Sequence, residues 1–184
     1  MLSTSPLSFR RRLANRAVVA TTVAALSATA VGASQAQANP VESLATQAQT
    51  VELISRASLA VARAHTLAGK AYRRGGLGPN SYDCSGSTLT AWRAAGVELP
   101  RVPRDQYLHL TPGAVRVPLS ERQAGDLVFY SRSPGNPDRI YHVAILVDRD
   151  NVLNAGRRGL RVQPLYLNRQ LNHDLMPMVV RPAP

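Results

Sequence analysis

Apolar residues recur along the chain with two periods, and the change from one to the other divides the domain. Between Val51 and Lys70, Leu53, Ile54, Ala57, Leu59, Ala60, Val61 and Ala64 fall at near-helical spacing with Arg56 and Arg63 between them, which predicts an amphipathic helix. Gly69 and then Gly75-Gly76 end it. The segment GGLGPNSYD follows, with Gly78, Pro79 and Asn80 as breakers. A second helix is predicted over Ser85–Ala95, with Leu89, Trp92, Ala95 and Val97 as its buried stripe and Gly96 as its stop. ELPRVPRDQYLHL, bounded by Pro100 and Pro103, predicts a short helix from Arg104 to Leu110. Beyond it the period shortens. GDLVFY (Gly125–Tyr130), HVAILV (His142–Val147), NVLNA (Asn151–Ala155) and LRVQPL (Leu160–Leu165) are short, β-branched and separated by turn residues, which predicts four antiparallel strands with a hairpin turn at Asp148–Asn151. The tail, His173–Pro184, contains MPMVV and predicts one further strand at an edge. Helices first and strands afterwards make an α+β domain, its N-terminal helices packed on a C-terminal antiparallel β-sheet.

Ahead of this domain the pattern is that of a targeting segment. Arg10, Arg11, Arg12 and Arg16 precede an uncharged run from Ala17 to Val31, and Ala36-Gln37-Ala38 supplies the small-x-small cleavage pattern, so residues 1–38 read as a signal peptide. The apolar run is shorter than the roughly 20 residues that a membrane-spanning helix needs. Arg11-Arg12-Leu13-Ala14 is a loose match to a twin-arginine signal, and ordinary secretion is the expected route. Residues 39–50, rich in Ala, Gln, Thr and Ser, read as a flexible lead-in, leaving 51–184 as a single domain.

Removal of residues 1–38 takes four arginines and no acid, so the formal net charge of +11 falls to +7, from 18 basic against 11 acidic residues. The excess suits anionic surroundings such as a cell wall. The basic residues are dispersed and no nucleic-acid-binding motif is present, so no nucleic-acid partner is expected. A mature chain of 146 residues is enough for one domain with a real core, and a monomer is expected.

One cysteine, Cys84, stands in the whole sequence, which excludes an internal disulfide and a four-cysteine zinc site. A lone thiol in an oxidising compartment invites oxidation, which weighs against its being a buried hydrophobe and favours a nucleophile. Its position at the predicted helix start supports this. Unpaired amides of a first helical turn face such a sulfur, favour its thiolate and can hold an oxyanion; Ser85 and Gly86 are small enough to admit a substrate backbone. A base is then required. His65, His109 and His173 have ordinary settings, whereas His142 opens a strand directly after the loop SRSPGNPDRIY. The third group must accept from its other ring nitrogen. Asn154, twelve residues on in the returning strand, is placed for this; Asp148 and Asp150 are charged alternatives at the far end of the hairpin.

The segments AYRRGGLGPNSYDCSGSTLTAWRAAGVELPR, QAGDLVFY, HVAILV and VLNA, in that order, resemble the NlpC family of bacterial cell-wall cysteine peptidases. The resemblance implies a papain-like fold, no cofactor and no metal, and peptidoglycan as partner. It makes Cys84 the nucleophile, His142 the base and acid, and Asn154 the orienting residue, at a position where the family commonly has histidine. Tyr72 matches the tyrosine that assists the oxyanion, and Asp83 and Ser85 match positions that shape the substrate cleft. The bond implied is the D-γ-glutamyl to diamino-acid link of the stem peptide. Two positions depart from the family pattern: Arg74 replaces the tryptophan of Tyr-x-Trp-Gly-Gly, and Ser87 replaces an apolar residue. The alternative readings are an N-acetylmuramoyl-L-alanine amidase and a catalytically silent wall-binding module, the latter motivated by Arg74, the missing third histidine and the +7 charge.

Overall fold

The computed structural model describes residues 56–167 and 169–182. The signal peptide, the lead-in and the first residues of the predicted N-terminal helix, Leu53 and Ile54 among them, lie outside the described residues. Helix α1 is described over 56–67. Ala60, Ala64 and Leu67 are buried, and Gly69 follows at φ +84°, a left-handed conformation suited to a helix stop. Leu59 departs from expectation and is exposed, because it lies outside the Ala57, Ala60, Val61, Ala64 stripe.

One feature of the next segment goes beyond the sequence reading. Ala71–Tyr72 (β1) and Ser81–Tyr82 (β2) pair in parallel across the turn-rich loop. Helix α2 spans Cys84–Arg93, so the cysteine is its first residue, and the predicted stripe Leu89, Trp92, Ala95 and Val97 is buried. The buried indole of Trp92 donates to the Gly125 carbonyl at 3.1 Å, which satisfies its one polar atom. Helix α3, Pro103–Leu108, begins on a proline whose missing N–H costs a helix nothing at its first position.

The main sheet has six strands: β3 (Val115–Pro118), β4 (Leu127–Ser131), β5 (Ile140–Leu146), β6 (Asn151–Gly156), β7 (Gly159–Pro164) and β8 (Met178–Arg181). Their order is β3-β8-β4-β5-β6-β7, and every described pairing is antiparallel. The four predicted strands are present with ends shifted by a few residues. The tail strand is not at an edge. β8 lies between β3 and β4, because β3, bounded by prolines and largely exposed, takes the edge instead. Helix α4, Arg169–Asp174, precedes it.

Period-two alternation divides the sheet residues between two apolar clusters. Leu127, Phe129, Val143, Ile145, Leu153 and Leu160 join α1, α2 and α3 in one. Val128, Tyr130, Ala144, Leu146, Val152 and Val179 join Leu165 and Leu175 in the other. Both faces are therefore covered, and the central strands are rigid supports for whatever projects from their ends.

Candidate active site

The chain places Cys84 at the first position of α2 and caps that helix with the preceding residue. Asp83 has extended backbone, and its Oδ1 accepts from the Gly86 amide at 2.7 Å. Its other partners make a lattice: Oδ2 accepts from the Gly75 amide at 2.8 Å, and the Arg101 guanidinium donates to Oδ1 at 3.0 Å and to Oδ2 at 2.6 Å. Arg101 also donates to Ser85 Oγ at 2.9 Å. Asp83 is thus saturated. Burial alone would push its carboxyl up; the Arg101 guanidinium and the two amides outweigh this and hold it below its ordinary value.

This changes the oxyanion reading in one respect. The Gly86 amide is taken by Asp83, so the free amides of the first turn are those of Cys84 and Ser85. Gly86 serves sterically. A Cβ there would collide with the Gly76 carbonyl, and one at Gly76 would lie 2.8 Å from the Arg73 and Ser81 carbonyls, so the loop and the helix start touch main chain to main chain.

Cys84 is partly buried, and burial pushes its thiol up. The amide of Val143 faces the sulfur and pulls the other way, the Asp83 carboxylate pushes up again, and the Ser85 and Cys84 amides pull down. That contact puts the thiol beside the His142–Val143 peptide, although Cys84 and His142 share no hydrogen bond. His142 lies opposite Tyr130 in the β4–β5 register, with ring centroids 5.4 Å apart, and stacks on Tyr141 at 6.3 Å. In the β5–β6 register Ile145 faces Leu153, so His142 and Asn154 are diagonal neighbours on one face. Their side chains meet, His142 Nε2 to Asn154 Oδ1, at 2.5 Å. An amide oxygen only accepts, so Nε2 carries the proton and Nδ1 keeps its lone pair. Burial holds the imidazole below its ordinary 6.5, and the bond to Asn154 opposes the shift.

The other candidates fall as follows. Asp148 accepts from the amides of Asp150 and Asn151, and Asp150 pairs with Arg122, so both belong to the turn. His65, His109 and His173 are exposed. Tyr72, Asp83, Cys84 and Ser85 line one cleft of about 450 Å³ together with Arg74, Arg101 and Tyr141. Arg101 and Tyr141 had no local signal in the sequence. The segment that carries Arg101 is tied to α2 by buried Gln106, which donates to the Ser85 and Pro100 carbonyls at 3.1 and 2.8 Å. Tyr141 of β5 donates to Asp174, the last residue of α4, at 2.8 Å. Among the described residues no group of His, Cys, Asp and Glu side chains could hold a metal ion, and no helix is long and apolar enough to cross a membrane. A second hollow, of about 480 Å³, lies between α1 and the turn at Gln123-Ala124; its one titratable lining group is His65.

Comparison with known proteins gives the family. The model of the NlpC/P60 family matches residues 69–177, which include both the helix-start cysteine and the histidine strand. The probable endopeptidase p60 of Listeria seeligeri is 38% identical over 106 residues, which are 58% of this chain and 19% of that protein. A γ-D-glutamyl-L-lysine dipeptidyl-peptidase of Bacillus subtilis is 31% identical over 99 residues, 54% of this chain and 32% of its own. The chain therefore spans about a fifth to a third of these relatives. In three dimensions it resembles a lipoprotein-like NLP/P60 protein of Staphylococcus aureus, with a TM-score of 0.58 and 27% identity over 71% of this chain and 42% of the other. The helices, the six-stranded sheet and this match make the fold an α+β, papain-like one, and the chain belongs to the NlpC/P60 family.

Proposed function

We propose that the protein is a secreted cysteine peptidase that hydrolyses amide bonds in peptidoglycan stem peptides, at the D-γ-glutamyl to diamino-acid link, with Cys84, His142 and Asn154 as its triad. The observation that carries this reading is a thiol at a helix N-terminus, set against the amide of the residue that follows a histidine already oriented by Asn154. The names of the Listeria and Bacillus relatives support the reaction class and the γ-glutamyl bond. The sequence-predicted leader supports action outside the cytoplasm, on the cell wall.

His142 Nδ1 takes the thiol proton as sulfur attacks the scissile carbonyl, and the oxyanion is met by the Cys84 and Ser85 amides with the Tyr72 hydroxyl beside them. Burial pushes the Tyr72 hydroxyl up, and the neighbouring Cys84 and Asp83 charges add to this, so it stays protonated and able to donate. Imidazolium then protonates the leaving amine, giving a thioester. Water, deprotonated by His142, attacks the thioester and releases the acid and the thiol. Asp83 and Ser85 set the cleft floor through Arg101.

Digestion of purified peptidoglycan, followed by mass spectrometry of the new amino termini, tests the reading. The expected product carries a free diamino-acid amine, and Cys84→Ala abolishes it while wall binding persists. Release of an intact stem from muramic acid would make the enzyme an amidase; an undigested wall with the parent protein would make it a silent binding module.

A further inference from the structure

The cleft holds two arginines in different states. Arg101 is neutralised by the bidentate Asp83 pair. Arg74 is exposed at the same cleft and makes no hydrogen bond or ion pair among the described residues. The arginines elsewhere whose partners are defined show how readily this chain engages a guanidinium: Arg104 with Asp138, Arg122 with Asp150, Arg181 with Asp126. Asp83, the one carboxylate lining the cleft, cannot serve Arg74, because its two oxygens already accept four bonds. The cleft therefore carries one uncompensated positive charge.

The backbone around Arg74 is fixed. Arg73 donates to the Tyr82 carbonyl at 3.1 Å, Gly75 to Asp83 at 2.8 Å and Gly76 to the Arg73 carbonyl at 2.8 Å. The guanidinium swings from a rigid base beside Tyr72 and Cys84, and its planar fork matches a carboxylate. A γ-linked glutamyl residue supplies one. Joining the peptide through the side-chain carboxyl leaves the α-carboxylate free, a few bonds from the scissile carbonyl; an ordinary α-peptide has no such group there.

We propose that Arg74 forms a carboxylate subsite of the Cys84 cleft, which binds the free α-carboxylate of the γ-linked glutamyl residue and distinguishes it from a carboxamide. The proposal rests on the peptidase reading above. Three synthetic stem peptides test it on the full chain: one with free carboxylates, one amidated at the glutamyl α-carboxyl, and one amidated only at the diamino acid. Glutamyl amidation is expected to lower kcat/KM about tenfold, mainly through KM, the order of one charge-assisted hydrogen bond. Arg74→Gln is expected to treat the free and amidated peptides alike, and Arg74→Lys to keep part of the preference. A preference unchanged in Arg74→Gln overturns the subsite, as does discrimination that follows the diamino-acid carboxylate. If no peptide is cleaved, the peptidase reading fails, and Kd values for the free and glutamyl-amidated peptides on Cys84→Ala decide the subsite separately. Tighter binding of the free acid, lost in Cys84→Ala/Arg74→Gln, supports it; equal affinities overturn it.

Discussion

The thiol and the imidazole are held by different kinds of structure. On the Cys84 side the support is polar and local to a loop: Asp83 accepts four bonds and ties Gly75, Gly86 and Arg101 together. On the His142 side it is a sheet with both faces buried, and one hydrogen bond, to Asn154, completes what strand register has arranged. The first wall is held by charge and directional bonds, the second by packing. The contrast implies that the two should fail differently.

A cavity in the sheet wall is the largest perturbation. Leu153 is fully buried between α2 and the strands, and Leu153→Ala is expected to cost about 2–5 kcal/mol of stability. Chemical denaturation should show this while kcat/KM of the folded protein at low temperature stays near the parent value. Asp83→Ala should do the reverse. Loss of the cap and its lattice is expected to cost only about 1–2 kcal/mol, yet turnover should drop by an order of magnitude or more as Arg101 and the Gly75 amide lose their partner. The Asp83 carboxylate also pushes the thiol up, so alkylation of Cys84 at neutral pH should become faster in this variant even as turnover falls. Equal falls in stability and turnover in both variants would erase the distinction between the walls.

The smallest effect is a displacement on the pH axis. In the proposed mechanism His142 accepts the thiol proton and must be neutral, so kcat/KM should rise with pH through a midpoint below 6.5, because burial disfavours the imidazolium. An alkaline fall is expected above 9, where loss of the thiol proton leaves His142 without the proton it gives to the leaving amine. The Asn154 bond raises the imidazole pKa, so Asn154→Ala should move the acid limb lower still, with a modest loss at the plateau. An acid limb that stays in place would remove Asn154 from the orienting role.

The same contrast explains what could be read in advance. Strand alternation and hairpin spacing put His142 and Asn154 diagonally across one sheet face, because antiparallel register is arithmetic once the turn at Asp148–Asn151 is recognised. The α2 stripe was legible for the same reason, since period and burial coincide. The lattice was not. Arg101 comes 18 residues after Asp83, in a segment that Gln106 ties to α2 through the Pro100 and Ser85 carbonyls, contacts that no local pattern encodes. β3 escaped because VRVP is short, largely exposed and bounded by prolines, and its absence from the prediction made β8 look like an edge. The paired β1 and β2 are two residues each, too short to show a period.

The contact between Gly76 and Gly86 fixes the loop to the Cys84 helix through main-chain atoms alone. It makes no demand on the side chain at position 74. The residue at 74 can therefore be exchanged by a single codon while the seat of the Cys84 helix is inherited intact, so what the cleft mouth offers a ligand and what holds the thiol are separately adjustable.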